Sequence, residues 1–297
     1  MNKIDLHLHT NYSDGSDSLC ELLIQAEKAQ LEVISITDHD NCLAYGELKQ
    51  EKVRKLFSGK IIKGVELEAA FDGIIVELLG FGVDTDKINA NAEDIKKKKK
   101  HAYYTQMLRL YEICKRLGVK MADDVLNTYV DGEFYYPASH IHREITKHKE
   151  NRKFIPDDES WNNGVYFGVK HITDATSPFY VDMGGLFPTL RNIYDTIREA
   201  GGLVFIAHIF NYGDKAHGIL DHLTTNFKID GIECYYSKFT TEQTKYLLEL
   251  CKAKGYLVSG GSDYHGECKP DIKVGTGKGD LMIPMENIRW ITDKMLI

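Results

Sequence analysis

Two histidines separated by a single residue, His7 and His9, lie near the start of the chain. Residues 4–9 alternate apolar and polar side chains, which predicts a β-strand in which residues two apart point to the same side. Two imidazoles on one side of a strand can bind a divalent metal ion, although an ordinary half-exposed strand would show the same pattern. Asp5 falls on that side too and is a candidate to orient one imidazole through a hydrogen bond.

Four further strand-like segments also finish in residues that can bind a metal. Asp38, His39 and Asp40 follow the β-branched segment 33–37, where a helix cap and turn would be the ordinary explanation. The other three segments finish in Glu66, in His208, and in Asp263 with His265. Barrels of alternating strands and helices place their active sites at the carboxyl ends of strands. Because unpaired buried charges are costly, the five segments together predict a cluster that binds divalent cations.

The elements that would position these residues alternate between strands and helices at both ends of the chain. We predict strands over 4–9, 33–37, 61–65, 74–81, 203–207, 229–235 and 256–259. We predict helices over 18–31, 190–200 and 241–254, the last of them closed by Gly255. The β-α-β-α order at the beginning predicts an α/β fold with parallel strands joined by helical crossovers.

The middle of the chain has a different character, polar and helical in pattern. Helix-like stretches cover 89–117 and 140–148, whereas 151–185 mixes glycine, proline and aromatic residues without a firm assignment. We therefore predict a barrel made of residues 1–85 and 191–297. Residues 86–190 would form an inserted, mainly helical subdomain that covers one face of the barrel and recognises the substrate.

The composition of the 297-residue chain excludes several classes of protein. With 43% hydrophobic and 27% charged residues, it is globular rather than disordered. A formal net charge of −7 argues against extended nucleic-acid binding. No apolar run approaches the ~20 residues needed to cross a bilayer, the first residues lack the apolar part of a signal peptide, and the cysteines form no CxxC pair. We therefore expect a cytoplasmic protein with no membrane contact and no stable protein partner.

The order and spacing of the motifs resemble one known family. His7-x-His9, Ser13-Asp14-Gly15, Thr37-Asp38-His39, Gly64-Val65-Glu66, Ala207-His208 and Ser262-Asp263-x-His265 are together similar to the PHP (polymerase and histidinol phosphatase) family of metal-dependent phosphoesterases. Within it, the chain resembles the stand-alone bacterial members of the nucleoside 3′,5′-bisphosphate phosphatase and 5′-3′ oligoribonuclease type. The resemblance implies a distorted (β/α)7 barrel, similar to a TIM barrel, with two or three metal ions at the carboxyl ends of its strands.

The resemblance also implies a set of metal ligands. They are His7, His9, Asp14, His39, Glu66, His140, His208, Asp263 and His265, with Glu66 as a bridging carboxylate. His140 rests on the weakest match, because Ala-Ser precedes it where the family has Arg-Pro, and His142 or His171 could take its place. Two further positions depart from the family pattern: Ile209 replaces a proline after His208, and Glu77 stands where a histidine is often found.

A shell of imidazoles and carboxylates suits Mn²⁺, Zn²⁺ or Fe²⁺ better than Mg²⁺. Such ions would lower the pKa of a bridging water and bind the phosphoryl oxygens, so we predict in-line attack of a bridging hydroxide on phosphorus. The predicted catalytic residues are His39 and His265, which bind the metals, and Asp38 and Asp40, which would orient ligands or handle protons.

Three residues of the insertion are candidates to bind the substrate phosphate: Arg143, Lys170 and His171. For Arg143, an exposed position on a helix is the ordinary alternative. Five consecutive lysines at 96–100 read as a solvated helix face, or else as a contact for a second phosphate or for a short RNA with an aromatic side chain to stack on. The expected partner is a small phosphorylated molecule, a nucleotide or a short RNA 5′ end.

Three alternatives remain at the level of sequence. A histidinol-phosphate-type phosphatase shares the metal motifs but matches the Ser-Asp-Gly and Ser-Asp-Tyr-His forms less well. Amidohydrolase chemistry on a C–N bond is disfavoured because no lysine at a strand end is suited to carbamylation. A non-catalytic metal-binding PHP module would have lost several ligands, whereas nearly all of them are present here.

Overall fold

The computed structural model describes residues 3–90, 92–132 and 136–297. A sheet of seven strands is the framework of the fold. Within these ranges the strands are β1 (Ile4–Leu8), β2 (Val33–Ile36), β3 (Lys60–Phe71), β4 (Ile74–Phe81), β5 (Leu203–Ile206), β6 (Gly231–Tyr236) and β7 (Leu257–Gly261). They are hydrogen-bonded in sequence order from β1 to β7. Leu8 also bridges to Tyr264, so the two edges approach each other and the sheet forms a nearly closed barrel.

Close approach at this seam depends on a glycine. A Cβ atom added to Gly261 would lie 2.3 Å from the Cβ of His7, which is far inside van der Waals contact. The amide of Asp263 donates to the carbonyl of His7 at 2.9 Å, and the amide of His9 donates to that of Tyr264 at 3.0 Å. The seam therefore brings the first and last motifs of the sequence side by side.

One strand departs from the predicted parallel arrangement. β4 pairs with β5 in the antiparallel sense, whereas the β1–β2, β2–β3, β5–β6 and β6–β7 pairs are parallel. The two-residue turn at Asp72 and Gly73 joins β3 to β4, and both residues have positive φ (49° and 79°), as in a tight hairpin. A parallel pair needs a crossover of a dozen or more residues, so this short turn makes the expected parallel order wrong here.

Helices connect the remaining strands and fill the middle of the chain. They are α1 (Leu19–Lys28), α2 (Glu51–Arg54), α3 (Thr85–Asn89), α4 (Ala92–Leu117), α5 (Ala138–Thr146), α6 (Asp158–Asn162), α7 (Gly164–Phe167), α8 (Leu190–Glu199), α9 (Ala216–Asn226) and α10 (Thr241–Lys254). Strand 74–81 and helix 241–254 have the predicted bounds, and Gly255 closes α10 in the left-handed conformation (φ 74°). β3 runs past its predicted end at residue 65 to Phe71, because it continues into the hairpin with β4 and bridges to Thr189 at Ala70.

The described chain divides into two compact units. The first contains residues up to Glu68, Glu77–Glu93 and Arg191–Ile297, and the second contains Ala69–Val76 and Asp94–Leu190. Each has its own buried apolar cluster, which includes Phe81 and Phe205 in the first unit. In the second unit α4 and α5 supply half of the buried cluster, and the β3–β4 turn region adds the partly buried Ala70 and Ile75. The second unit thus includes the hairpin tip as well as the helical segment.

No helix in the described ranges is both long and apolar enough to cross a membrane.

Candidate metal centre

Residues from separate strand ends converge within the first unit. Among the described residues, four sets of side chains each place their ligand atoms within 4.8 Å of one another. The sets are His7, His9, Glu66 and Asp263; His9, Asp14, His39 and His265; Glu66, Glu77 and His208; and His39, Glu68 and Glu77. The first set shares His9 with the second and Glu66 with the third, and the fourth shares His39 with the second and Glu77 with the third. Shared ligands place neighbouring cation positions next to one another, as a multinuclear centre requires.

The first set surrounds one carboxylate oxygen of Glu66. Glu66 Oε2 lies 3.0 Å from Nε2 of His7 and 3.2 Å from Nε2 of His9. Asp263 Oδ1 lies 3.6 Å and 3.4 Å from the same two nitrogens. The other Glu66 oxygen, Oε1, lies 3.0 Å from Nε2 of His208. Glu66 therefore faces imidazoles with both oxygens, which is the arrangement of a bridging carboxylate.

In the second set, the imidazole of His265 faces the carboxylate of Asp14, but no hydrogen lies between the two facing atoms. Nδ1 of His265 donates to the carbonyl oxygen of Asp263 at 2.8 Å. Burial lowers the pKa of His265 to about 4, so the ring is neutral near pH 7 and Nε2 carries a lone pair. That lone pair faces Oδ2 of Asp14 at 3.2 Å. A cation between the two acceptors would make this contact favourable.

Three buried imidazole nitrogens in the described residues lack a hydrogen-bond partner: His9 Nε2, His39 Nδ1 and His208 Nδ1. Buried polar groups are normally satisfied, so such exceptions mark a missing ion or water. His9 Nε2 and His39 Nδ1 both lie within the converging sets. The residues thus fit a group of divalent metal ions.

Side chains behind the ligands hold them in place. Glu233, buried in β6, accepts a hydrogen bond from Nδ1 of His7 at 2.9 Å and another from the amide of His208 at 2.7 Å. This fixes the His7 tautomer with its Nε2 toward the first set. Asp263 has φ 57°, and its Oδ2 accepts from the ammonium of Lys269 at 2.6 Å and from the hydroxyl of Tyr236 at 2.8 Å. Oδ1 of Asp263 is therefore the oxygen that faces His7 and His9 in the first set.

The carboxylates of the centre differ in their protonation. Burial opposes ionisation of Glu66, but the nearby imidazoles of His7, His208 and His39 hold its pKa well below the usual value. Burial raises the pKa of Glu77, and the adjacent Glu66 and Glu68 raise it further, well above its usual value. Two carboxylates near 4 Å repel by about 4 kcal/mol at an effective dielectric constant of ~20. Without cations, Glu77 therefore holds a proton more readily than Glu66 does.

The predicted catalytic carboxylates Asp38 and Asp40 lie beside the centre. Asp38 accepts three hydrogen bonds of 2.7 Å, from the amide and hydroxyl of Thr10 and from the hydroxyl of Ser13. It thereby holds the loop that carries Asp14. Asp40 has φ 55° and accepts from the amide of Glu68 at 3.4 Å. These hydrogen bonds indicate that Asp38 and Asp40 orient the loops that carry the ligands. A role for them in handling protons stays a prediction.

His140, the predicted ninth ligand, lies on α5 in the second unit and in none of the four sets of the described residues. Its Nε2 donates to the carbonyl of Val125 at 2.8 Å, and its Nδ1 accepts from the guanidinium of Arg143 at 3.1 Å. His142 Nε2 donates to the carbonyl of Ser160 at 2.7 Å. Both nitrogens of His140, and Nε2 of His142, are thus engaged within the second unit, and the role of His140 stays a prediction.

Two of the three predicted phosphate-binding residues, Lys170 and His171, pair with acids of the second unit. The ammonium of Lys170 lies 2.6 Å from Glu159 and 3.3 Å from Asp157, and Nε2 of His171 lies 3.2 Å from Asp157. Their role toward a substrate stays a prediction, as does that of Arg143. The lysines at 96–100 do not form one solvated face, since Lys99 is buried and its ammonium lies 5.7 Å from the Tyr103 ring centre.

Sequence reasoning missed Glu68, Glu233 and Lys269, and noted Glu77 only as a departure from a pattern. Glu68 is two residues from Glu66 on the same strand, so the period of two was an available signal. Glu233 interrupts an otherwise apolar buried strand, and a charged residue at such a position requires a partner. Lys269 follows β7 by several residues, and no local pattern connects it with Asp263.

Replacing Glu233 with glutamine should weaken metal binding by about 10- to 100-fold, because residues that orient ligands have effects of that size. The amide keeps the shape but loses the charge that fixes the Nδ1–H tautomer of His7. Titration calorimetry with Mn²⁺ measures the effect. Glu286→Gln, an exposed glutamate of the same unit, is the matched control. Equal affinity in both variants would remove Glu233 from the centre.

Metal binding should compete with protons at His9. Burial disfavours its charged form, but Asp263, Glu66 and Asp14 raise the pKa of His9 from 6.5 to about 9. The charged imidazole therefore stabilises the metal-free fold fully below pH 6.5, and this stabilisation is lost as the pH rises through 9. Metal must displace that proton. We expect Mn²⁺ affinity to rise, and the melting temperature of metal-free protein to fall, between these pH values.

Calorimetry in two buffers of different ionisation enthalpy counts the protons that Mn²⁺ releases. Thermal melts of metal-free and Mn²⁺-loaded protein test the stability effect separately. Proton release near zero, together with a metal-free melting temperature that does not change with pH, would contradict this account of His9.

A nearly closed α/β barrel with a cluster of imidazoles and carboxylates around its strand ends defines the class: a barrel protein with a multinuclear metal centre. The family model described as "PHP domain" matches residues 5–156. The 5′-3′ exoribonuclease Rnm of Escherichia coli (strain K12) is 30% identical over 287 residues, which cover 91% of this chain and 87% of that protein. The chain belongs to the PHP domain family.

Two further proteins are similar to this chain. The 3′,5′-nucleoside bisphosphate phosphatase of Chromobacterium violaceum is 22% identical over 279 residues, covering 92% of this chain and 91% of that protein. A crystal structure from Bifidobacterium adolescentis, described as a metal-dependent phosphoesterase, superposes with a TM-score of 0.66 at 23% identity and covers 99% of this chain and 96% of that one. This last likeness supports the predicted fold.

Proposed function

We propose that this chain is a metal-dependent phosphoesterase that hydrolyses a phosphomonoester, or a short phosphodiester, of a nucleotide-like substrate. The observation that carries the proposal is the sharing of His9, His39 and Glu66 between adjacent ligand sets. Two or three divalent ions, of Mn²⁺, Zn²⁺ or Fe²⁺ type, would fit there. When bound, such ions supply a water of lowered pKa and positive charge for the phosphoryl oxygens.

The chain's own residues position this chemistry and handle its protons. Glu66 would bind the metal ions with its two oxygens, which face different imidazoles. Lys269 is held beside the centre by Asp263, and although burial disfavours its charge, Asp263 raises its pKa, so it stays an ammonium. A fixed cation there favours an anionic substrate. His265 and His39, proposed as ligands, would align the reacting groups.

The relatives support a nucleotide-like substrate, because one is named a 3′,5′-nucleoside bisphosphate phosphatase and the other a 5′-3′ exoribonuclease. The net charge of −7 favours a small molecule or a short RNA end over a long polyanion. The six cysteines are free thiols, which supports a reduced compartment such as the cytoplasm.

Release of inorganic phosphate by Mn²⁺-loaded protein tests the proposal. The panel holds a nucleoside 3′,5′-bisphosphate, a 5′-phosphorylated dinucleotide, histidinol phosphate and an aryl phosphate, and the inactive control is Asp263→Asn. We expect turnover of one of the first two substrates, abolished in the control. Preference for histidinol phosphate would replace the nucleotide assignment. Silence on the whole panel, with bound metal verified, would overturn the catalytic proposal in favour of a non-catalytic module.

A further inference from the structure

Three glutamates of the first unit crowd together at one side of the metal centre. Glu66 and Glu68 lie on β3, and Glu77 lies opposite them on β4. Glu77 shares one set of mutually close ligand atoms with Glu66 and another with Glu68. We call Glu66, Glu68 and Glu77 the carboxylate cluster. Because like charges this close repel, the cluster needs a cation or protons.

Two imidazoles point into the carboxylate cluster from different strands. His39 Nδ1, on a side chain that is 4% exposed, lies 3.6 Å from Glu66 Oε2 and 3.7 Å from Glu68 Oε1. It has no hydrogen-bond partner in the described structure. His208 Nε2 lies 3.4 Å from Glu77 Oε2. An unpartnered buried nitrogen aimed at a carboxylate cluster is the geometry of a ligand directed at an ion.

The donor atoms differ sharply between the two ends of the centre. The set around His265 offers three imidazole nitrogens and one carboxylate. The two sets that contain Glu77 each offer two carboxylates and one imidazole: Glu66 and Glu77 with His208, and Glu68 and Glu77 with His39. Imidazole-rich shells suit Zn²⁺, whereas carboxylate-rich shells favour harder ions such as Mn²⁺. Two carboxylates also supply more negative charge than the single Asp14 of the set around His265.

We propose that the carboxylate cluster is a Mn²⁺-preferring position, so that the centre binds different metals at its two ends. The inference deepens the proposed function, since it names the metal preference of part of the proposed site. It concerns binding alone and does not depend on which phosphate ester is cleaved.

Metal content measures the preference directly. Metal-free protein is first given about two equivalents of Zn²⁺ and then titrated with Mn²⁺, with bound Mn²⁺ followed by electron paramagnetic resonance and totals by mass spectrometry of the metals. We expect Mn²⁺ to bind to the Zn²⁺-loaded protein without displacing Zn²⁺. Failure of Mn²⁺ to bind, or its binding only with equal release of Zn²⁺, would overturn the proposal.

Variants locate the position. Glu77→Gln should lose the added Mn²⁺ and keep its Zn²⁺, and Glu77→His should shift the Mn²⁺-to-Zn²⁺ ratio toward Zn²⁺ by about tenfold. Glu286 is exposed, so the Glu286→Gln variant should bind Zn²⁺ and Mn²⁺ as the unchanged chain does. Retention of Mn²⁺ by Glu77→Gln would contradict the assignment, and the titration of the unchanged chain decides the matter if a variant fails to fold. Selective Mn²⁺ binding in a protein silent on the phosphate panel would uphold this inference while overturning the proposed activity.

Discussion

Replacing His9 with alanine should lower phosphate release by about 10³-fold or more, because losing a metal removes several kcal/mol of transition-state stabilisation. His9 is the one histidine shared by the first two ligand sets. Its Nε2 lies 3.2 Å from Glu66 and 3.4 Å from Asp263, and its ring stacks on that of His265 at 4.1 Å between centroids. One truncation therefore disturbs two cation positions.

The experiment compares metal content and turnover in the same preparations. Mass spectrometry of the metals should show the loss of bound ions in His9→Ala, with melting curves to verify folding. His217→Ala removes an exposed histidine of the same unit and is the matched control. A His9→Ala protein with full metal content and full turnover would remove the first two ligand sets from the mechanism.

Replacing Glu66 with glutamine should cost about as much, ~10³-fold, for a different reason. The side chain keeps its size, but one oxygen becomes an NH₂ group and the charge is lost. Glu66 faces His7 and His208, one with each oxygen, at 3.0 Å. An amide cannot bridge two cations with two oxygens. We therefore expect the metal occupancy of the first and third ligand sets, which both contain Glu66, to fall. The set around His265 should keep its ion.

The two substitutions should affect the set around His265 differently. His9→Ala removes one of its ligands, whereas Glu66→Gln leaves all four, so the residual Zn²⁺ content should be higher in Glu66→Gln. Glu286→Gln is the charge-matched control. Turnover in Glu66→Gln within a factor of about two of the control would show that Glu66 does not bridge.

Local sequence patterns were enough for much of the fold. Strand 74–81 and helix 241–254 were predicted with their observed bounds, because hydrophobic periodicity and a capping glycine act over a few residues. The ligand motifs were visible for the same reason: a period of two identifies side chains on the same side of a strand. Family membership follows from these motifs in order, and the comparisons confirm it.

Other features depend on contacts between residues far apart in the chain. The antiparallel β4 follows from how the Asp72–Gly73 turn reverses the strand, which the alternation of strands and helices does not show. Glu233 holds His7 across more than 200 residues, and Lys269 holds Asp263 from a loop without a local pattern. Hydrophobic periodicity indicates which side of a strand is buried, but not which charge from another element will face it.

The sequence by itself thus determined the barrel class, the family and the residues around which a metal centre is built. Only the tertiary structure decided how those residues share positions, that Glu68 and Glu77 join Glu66 in one carboxylate cluster, and that the nitrogens of His140 are occupied by Val125 and Arg143. The reason is physical. The type of a residue decides whether it can bind a metal, but a site forms only where such side chains lie close together. Those distances are set by the packing of the whole unit.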